Sequence, residues 1–471
     1  MVGKSIPRVD AYEKVTGRAK FTDDLAPANC LVAKILHAKI GNGIVTSIDI
    51  SEAETMEGVV KVVTFKDVPD HCYPTPGHPW SVELAHQDVA DRNLLTGRVR
   101  YYGDDIAAVV AEDEVTATRA LRKIKVEYEE YPVVIDPKKS MYGSRPPVHF
   151  DKKDNVLVRS NYFIGDVDAG LTQSDLIVKR HYKTPMVQHC HIENPVSYAY
   201  MDKDRIVVVA STQIPHIMRR VIGQALGIPW GRVRVIKPYI GGGFGNKQDV
   251  LYEPLNAFLT MQVGGRPVKL EVSREETFCN TRTRHSIEYD LTAGVDKEGH
   301  LLAKDMKAYS NQGAYASHGH AIAANGLTSW RLQYACPNIR GEAYTVYTNT
   351  PVGGAMRGYG IPQVCFGIES FMDDIAHELQ MDPLEFRRKN LIHGYYEDNY
   401  LKPIAANTNG IFECLEKGAD YIHWDEKRKE YAHQTGSIRR GVGMALFSYK
   451  TGVWPISLEI AGARMSLNQD G

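Results

Sequence analysis

A strand, a helix and a second strand follow one another closely in the first third of the chain, and this order constrains the fold most. Residues 106–111 form a short apolar run, which is typical of a buried strand. Residues 113–125 have the spacing of an amphipathic helix, and residues 125–131 alternate like a strand until Pro132 ends them. We therefore predict a βαβ-like unit and a small mixed sheet with helices packed on it.

A proline-rich stretch follows this unit. Residues 132–149 contain three further prolines and a Lys-Lys-Ser run, a composition that favours a linker. We therefore place a domain boundary near residues 140–155.

The middle of the chain mixes strands and helices. The pattern predicts strands at 205–210 and 231–240 and a helix that extends through 219–226. The apolar spacing at 363–379 predicts a buried helix, and a second helix is predicted at 383–390. Together with the first third, this mixture predicts an α+β protein.

The last residues read as an incomplete hairpin. Residues 456–467 have the pattern of an extended strand, and residues 468–471 have the pattern of a turn. A strand without its return partner is an aggregation hazard. We expect the sequence to be the front part of a longer protein; the alternative is a terminus that pairs elsewhere in the fold.

Charge and cysteine usage exclude several classes of protein. The formal net charge is −1, which gives no general attraction for nucleic acid or an acidic membrane. The first residues lack the apolar segment of a secretory signal, and no run of about twenty apolar residues occurs. Seven cysteines are dispersed without a C-x-x-C pair, which favours a reduced, cytoplasmic protein and argues against iron–sulfur ligation within this chain.

Two glycine-bearing stretches are candidate ligand sites. Residues 241–245 (GGGFG) follow a predicted strand, where glycines let the backbone approach a ligand or form a tight turn. They match neither the phosphate loop nor the dinucleotide fingerprint. Residues 353–360 place an arginine and a tyrosine among glycines, which suits anion contact and ring stacking, although exposed loops also contain such residues.

Two histidine pairs raise the question of a metal site. His189 and His191 form one pair, and His318 and His320 form the other. A zinc site requires three or four ligands, and nothing in the sequence brings the two pairs together. We therefore predict histidines satisfied by hydrogen bonds and no protein-ligated metal. No G-x-S-x-G elbow supports serine catalysis.

The combination of stretches is more specific than its parts. Residues 211–213 (STQ), 241–248 (GGGFGNKQ) and 355–360 (AMRGYG) occur in an order and spacing that resemble the molybdenum-binding subunit of the xanthine oxidase family, closest to bacterial multi-subunit xanthine dehydrogenases. Residues 7–24 resemble the start of that family's α/β hammerhead domain. The resemblance covers the whole chain. It implies a hammerhead domain at 1–140, a first cofactor-binding domain at 155–395 and the start of a second, incomplete one at 396–471.

The resemblance also implies roles for individual residues. Gln213 would hydrogen-bond an oxygen ligand of molybdenum, Phe244 and Gly245 would present their backbone to the cofactor, and Arg357 would lie against it. A cofactor that carries its own dithiolene requires hydrogen-bond donors from the protein rather than thiolates. Tyr359 would stack on a heterocyclic substrate, and Gln248 would contact its edge.

The sequence departs from the mammalian members of the family in the substrate site. Gln248 replaces a glutamate, so it can hydrogen-bond a purine but cannot transfer a proton as a carboxyl group does. By ungapped counting, a substrate-orienting arginine of those members would fall near Asn325, and this sequence has no arginine there. We identify no catalytic residue in the chain; the general base, a glutamate in a Gly-Glu-Pro-type segment, is expected beyond residue 471.

The function implied by the resemblance is hydroxylation of a purine or related N-heterocycle with water as the oxygen source. Electrons would pass to partner subunits that hold 2Fe-2S clusters and FAD, and the pterin would be the cytosine dinucleotide form. The alternatives are an aldehyde or aromatic-CoA hydroxylase subunit on the same scaffold, or an inactive, truncated assembly fragment. A substrate panel separates the enzymes, and retention of molybdenum separates an enzyme from a fragment.

Overall fold

The computed structural model describes residues 2–78, 81–83, 87–143, 147–392, 410–449 and 463–469, with the backbone alone at 395–396 and 404–405. The helices within these ranges are α1 (Ala11–Val15), α2 (Ser51–Glu54), α3 (Glu114–Leu121), α4 (Pro137–Gly143), α5 (Val167–Thr172), α6 (Pro215–Leu226), α7 (Glu253–Gln262), α8 (Arg274–Asn280), α9 (Gly319–Leu332), α10 (Ile361–Glu378), α11 (Pro383–Asn390), α12 (Ile411–Tyr421) and α13 (Trp424–Glu430). The strands are β1 (Leu31–His37), β2 (Gly43–Asp49), β3 (Val59–Thr64), β4 (Arg98–Val99), β5 (Asp105–Ala111), β6 (Lys125–Glu130), β7 (Val156–Ile164), β8 (Leu176–Lys183), β9 (Val187–Gln188), β10 (Val196–Asp202), β11 (Arg205–Ala210), β12 (Val233–Ile236), β13 (Val268–Glu271), β14 (Thr283–Arg284), β15 (Ile287–Val295), β16 (Leu301–Gly313), β17 (Asn338–Tyr347), β18 (Tyr395–Tyr396) and β19 (Ile404–Ala405). The predicted α+β class is confirmed.

A seven-stranded mixed sheet forms the first half of the core. Its strand order is β12-β11-β10-β13-β1-β5-β3. The contact between β1 and β13 is parallel and joins strands from the two sides of the boundary predicted near 140–155. The division into 1–140, 155–395 and 396–471 stays a prediction, and a continuous sheet crosses the first of its boundaries.

Helices cover both faces of this sheet at strand β5. All seven of its residues are buried, which is typical of a strand covered on both faces. Ala108 and Val110 pack in one apolar core with α6 and α7, while Ala107 and Val109 pack in another with α2 and α3. The continuous apolar run in the sequence is therefore the signature of a strand that is covered on both faces.

The predicted βαβ-like unit is partly wrong. Its three elements exist as β5, α3 and β6, and Asp113 caps α3 by accepting a hydrogen bond from the Thr116 N–H at 2.8 Å. However, β6 pairs with β2 in a separate three-stranded sheet of order β4-β2-β6. The local pattern identified each element but carried no information about its partner strand.

The predicted linker is also partly wrong, because it contains a packed helix. Residues 137–143 form α4, and the Ser140 hydroxyl donates to the Tyr347 carbonyl at 2.5 Å. In the middle of the chain β11, α6, α10 and α11 confirm the predicted elements. Strand β12 is shorter than the predicted 231–240, because a turn of 3₁₀ helix occupies Trp230–Arg232.

A five-stranded sheet of order β7-β17-β16-β15-β8 forms the second half of the core. Helices α9 and α10 cover it, with Trp330, Phe371 and Ile375 at the centre of the apolar cluster. The terminal strand predicted at 456–467 lies largely outside the described residues. Within the part of the chain that the structure describes, no helix combines the length and the apolar character that a membrane span requires.

A buried ion-pair cluster connects β1 and β5 to α8. His37 Nδ1 lies 2.9 Å from Asp105 Oδ1, and His37 Nε2 lies 3.1 Å from Glu276 Oε1. Arg92 contacts the other oxygen of Asp105. Burial alone would lower the pKa of His37, but the two carboxylates raise it to about 9. The imidazolium is therefore the resident form at neutral pH.

This cluster predicts a pH-dependent stability. Because the folded-state pKa of His37 lies above the unfolded value of 6.5, its contribution is complete below pH 6.5 and is lost as pH rises towards 9. A shift of this size corresponds to about 3 kcal/mol. We expect His37→Gln to lower the free energy of unfolding by about this amount at pH 6.5 and by much less at pH 9, measured by urea denaturation. A difference between the two proteins that stays constant across this range would contradict the assignment.

Candidate functional site

The glycine-rich loop that follows β12 is held in a left-handed backbone conformation. Gly242, Phe244 and Gly245 have φ values of 97°, 53° and 111°. Phe244 is strained, because a non-glycine residue in this region costs about 1 kcal/mol or more, and its side chain remains half-exposed. Such strain persists only where surrounding contacts impose it, so the loop is a functional candidate on structural grounds.

Gln213 fixes the loop from the side of β11. The side-chain Oε1 of Gln213 accepts a hydrogen bond from the Gly245 N–H at 3.0 Å. The backbone N–H of Gln213 donates to the Lys247 carbonyl at 2.9 Å. A Cβ on Gly243 would lie 2.4 Å from Gln213 Oε1, so a side chain at that position would displace the amide. Residue 213 and the 241–248 stretch, which are separate in the sequence, are thus in direct contact in the fold.

The second glycine stretch packs directly against the first. The Arg357 N–H donates to the Phe244 carbonyl at 2.9 Å, and the Arg357 carbonyl accepts from Arg284 Nη2 at 2.8 Å. The Arg357 side chain is exposed. The structure therefore brings Gln213, Phe244, Gly245 and Arg357 together, although their roles stay predictions.

The first histidine pair supports the two loops. His189 Nε2 lies 2.7 Å from the Ala355 carbonyl, and His191 Nδ1 lies 2.6 Å from the Glu193 carbonyl. Asn246 Nδ2 lies 2.9 Å from His191 Nε2. Burial and the nearby lysine lower the pKa of His191 to about 4. The imidazoles of this pair are neutral scaffold groups that position the loop.

A buried salt bridge also holds the glycine-rich loop that follows β12. Lys247 Nζ lies 2.6 Å from Glu193 Oε2, which also accepts a hydrogen bond from the Gly241 N–H at 2.8 Å. The Lys247 side chain is almost fully buried. Burial lowers the pKa of Lys247 despite the attraction of Glu193. Sequence reasoning assigned no role to either residue, because a Lys and a Glu far apart in sequence resemble ordinary surface charges.

Tyr359 lies at the centre of a second group. Its hydroxyl lies 2.9 Å from His318 Nδ1 and 3.2 Å from His78 Nε2. Behind His318 is Asp249, with Nε2 and Oδ2 3.7 Å apart, and behind His78 is Asp88, with Nδ1 and Oδ1 2.6 Å apart. Burial, followed by the charges of the two aspartates, raises the pKa of Tyr359 well above its usual value. The phenol therefore stays protonated and can donate a hydrogen bond.

Both predicted substrate residues adjoin His318. The Gln248 carbonyl lies 3.4 Å from His318 Nε2, and Gln248 itself is partly exposed. Asn325, on α9, donates from Nδ2 to the Tyr359 carbonyl at 2.6 Å, so it lies beside the predicted substrate site. Sequence reasoning missed His78, because Tyr359 is 281 positions away and no local pattern connects the two.

Comparisons with known proteins cover most of the chain. One family model, described as the aldehyde oxidase and xanthine dehydrogenase a/b hammerhead domain, matches residues 16–132. A second, described as the molybdopterin cofactor-binding domain, matches residues 148–391. The predicted resemblance to this family is confirmed by both matches.

Individual relatives support the same family assignment. The putative xanthine dehydrogenase molybdenum-binding subunit XdhA of Escherichia coli K12 is 47% identical over 98% of this chain and 61% of its own length. The nicotinate dehydrogenase large molybdopterin subunit of Eubacterium barkeri is 32% identical over 89% of this chain and 96% of its own length. The structure of the Desulfovibrio gigas aldehyde oxidoreductase superposes with a TM-score of 0.80 at 28% identity, over 91% of this chain and 47% of that one. The chain thus spans less than two thirds of XdhA.

Proposed function

Because the chain belongs to the molybdopterin-cofactor-binding family of xanthine dehydrogenases and aldehyde oxidases, we propose that it is the molybdenum-binding subunit of a xanthine dehydrogenase-type hydroxylase. Its substrate is a purine or a related N-heterocycle. The observation that carries this proposal is the convergence of Gln213, the 241–245 loop and Arg357 in one hydrogen-bonded group.

The residues at this convergence fit an anionic, oxygen-rich cofactor. A strained loop presents its backbone, a fixed amide stands beside it, and the exposed guanidinium of Arg357 can pair with an anion. When bound, the molybdenum cofactor supplies the two-electron oxidation that inserts a water-derived hydroxyl group at an electron-poor carbon.

The hydrogen bonds of the loop divide the tasks among these residues. The Gly245 N–H is bonded to Gln213 Oε1, so the backbone donor to the cofactor is that of Phe244. The same bond orients the Gln213 amide, whose Nε2 is the donor available to an oxygen ligand. Arg357 is tied to the loop through its N–H and keeps its side chain free to lie against the cofactor.

The substrate is held by Tyr359 and Gln248. The tyrosine ring offers a face for stacking, and its hydroxyl is fixed by His78 and His318. Gln248 both donates and accepts hydrogen bonds, which suits the mixed edge of a purine. Asn325 holds the Tyr359 backbone instead of contributing a positive charge, which favours a neutral heterocycle. We assign no general base among these residues.

The same family membership supports a proposal for the partners of the complex. Electrons leave through a 2Fe-2S subunit and an FAD subunit, and the pterin is the cytosine dinucleotide form. All seven cysteines are free, which suits a reducing, cytoplasmic location. The superposition on an aldehyde oxidoreductase supports aldehydes as a second substrate class. Turnover of purines, pyridine-type heterocycles and aldehydes by the purified complex distinguishes the two.

Gln213→Ala and Arg357→Ala test the cofactor assignment. In the complete complex we expect Gln213→Ala to lower turnover about 100-fold, as the loss of one fixed donor at a reacting group does. Arg357→Ala should lower the molybdenum content per chain, measured by elemental mass spectrometry. Arg219→Ala, which removes an exposed arginine of α6, is the charge-matched control and should change neither value. Unchanged turnover and molybdenum content in both variants would refute the assignment.

A further inference from the structure

Three metal-ligating side chains from distant parts of the chain meet beside Tyr359. They are His78, Asp88 and His320, and one potential ligand atom from each lies within 4.8 Å of the others. His78 Nδ1 is 2.6 Å from Asp88 Oδ1, and His320 Nε2 is 3.8 Å from the same oxygen. The two imidazole rings meet edge to face with centroids 4.9 Å apart. We propose that these residues form a binding site for a divalent first-row transition-metal ion, with Zn²⁺ as the expected occupant.

The buried carboxylate of Asp88 is the negatively charged ligand of the proposed site. Its side chain is only 2% exposed, and its Oδ2 accepts no hydrogen bond from the residues that the structure describes. Arg220 Nη2 lies 3.7 Å from this oxygen. Within the described part of the chain the other oxygen, Oδ1, is held only by the neighbouring imidazoles, and a buried carboxylate is costly unless it is paired or coordinated to a metal. Oδ1 lies 2.6 Å from His78 Nδ1 and 3.8 Å from His320 Nε2, so it is the oxygen that faces both imidazoles. The ion would bind through Oδ1 and replace the direct contact between His78 and Asp88.

The position of His78 is fixed by contacts that a ligand histidine typically has. Its Nε2 lies 3.2 Å from the Tyr359 hydroxyl, which can hold the second ring nitrogen while Nδ1 faces the ion. The His78 carbonyl accepts a hydrogen bond from Arg220 Nη2 at 3.0 Å. Both the ring and the backbone of this histidine are therefore oriented before any ion arrives.

The ligand types select the class of ion. Two imidazoles and one carboxylate suit Zn²⁺ and its neighbours, whereas Mg²⁺ and Ca²⁺ prefer oxygen ligands alone. His320 is 34% exposed, which leaves a side open for entry and for a fourth, water ligand. His318 is not a ligand, because its Nδ1 contacts Tyr359 and its Nε2 faces Asp249 and the Gln248 carbonyl.

This assignment revises the prediction that the chain has no protein-ligated metal. The sequence paired His318 with His320, but the fold separates their roles and supplies His78 and Asp88 instead. The cluster would bind its ion whether or not the molybdenum cofactor is present. The ion would also affect the proposed substrate site at Tyr359. When bound to His78 Nδ1, it would fix the imidazole ring and so keep the contact between His78 Nε2 and the Tyr359 hydroxyl in place.

The test is titration of the metal-stripped full chain with Zn²⁺ by calorimetry, with Co²⁺ absorption as a second readout. We expect one site with micromolar or tighter affinity, and tetrahedral Co²⁺ bands without the charge-transfer band of a thiolate ligand. His320→Ala and Asp88→Asn should each weaken binding at least about 10-fold, since even residues that only support metal ligands contribute 10–100-fold.

The matched control is His181→Ala. His181 Nδ1 and Asp290 Oδ1 form an exposed pair 2.7 Å apart, without the clustered third ligand. This variant should bind Zn²⁺ as the unmodified chain does. His320 is partly exposed, so its variant tests the site even if Asp88→Asn fails to fold. Three outcomes would overturn the proposal: no saturable binding, binding unchanged by His320→Ala, or an equal loss in His181→Ala.

Discussion

Gly245→Ala is expected to abolish molybdenum retention and to lower turnover of the complex by more than 100-fold. A Cβ at this position would lie 2.4 Å from the Ala355 carbonyl oxygen and 3.0 Å from Met356 Cα. Both contacts are with backbone, so no side-chain rotation relieves them, and φ is 111°. The two glycine-bearing loops must move apart, which breaks the Arg357 N–H bond to Phe244 and the Gly245 bond to Gln213.

The same substitution should also destabilise the fold. Alanine at a positive φ value together with a backbone clash costs about 2–3 kcal/mol in the free energy of unfolding. The measurements are molybdenum per chain, turnover and urea denaturation of the same preparation. A variant that retains its molybdenum would show that the two loops can separate without loss of the cofactor.

Gly264→Ala is the matched control for backbone strain. Gly264 also has a positive φ, 71°, but an added Cβ would meet nothing within 4 Å. We expect a cost of about 1 kcal/mol from strain alone and no change in molybdenum content. Comparison of the two variants therefore separates the conformational cost from the contact between the loops.

Much of the fold could be predicted because individual elements carry strong local signals. The apolar run of β5 and the helical spacing of α10 each identified an element with nearly correct ends. Partner strands could not be predicted in the same way. Strand β6 pairs with β2, and β1 pairs in parallel with β13, through backbone hydrogen bonds that leave little trace in the side-chain pattern.

The residues of the candidate site also fall into two groups, those that the sequence can identify and those that it cannot. Gln213, Gly245 and Arg357 could be selected because glycine-rich stretches with fixed spacing resemble a known family. His78 and Asp88 could not be, because a single histidine or aspartate has the same appearance whether it is exposed or buried beside a tyrosine. Their proximity depends on the docking of distant segments, which only the three-dimensional fold provides.

Asp249→Ala is expected to have the largest effect on stability. Asp249 and Arg282 are both fully buried, with Asp249 Oδ1 3.2 Å from Arg282 Nε. The carboxylate also accepts hydrogen bonds from the Thr75 hydroxyl at 2.7 Å and the Ser317 hydroxyl at 3.0 Å. Its removal leaves an uncompensated buried guanidinium, which costs about 3–5 kcal/mol. Urea denaturation of the variant and the unmodified chain measures the loss.

The pH dependence of this loss distinguishes it from that of the His37 cluster. Burial alone would raise the pKa of Asp249, but Arg282, His318 and the hydroxyl donors lower it below the usual value. The contribution of Asp249 is therefore present above pH 3.8 and is lost only as pH falls through the lower folded-state pKa. Between pH 6 and 9 the deficit of Asp249→Ala should stay constant, whereas that of His37→Gln should shrink.

The double variant Asp249→Ala/Arg282→Met decides whether the uncompensated charge is the cause. If it is, removal of both partners should recover much of the stability that Asp249→Ala loses, because an apolar pair avoids the burial of a lone charge. Turnover should not recover with it, since His318 and Tyr359 still lack the carboxylate behind them. If the two substitutions instead lower stability additively, the aspartate stabilises the fold through its hydroxyl donors, and Arg282 has a separate role.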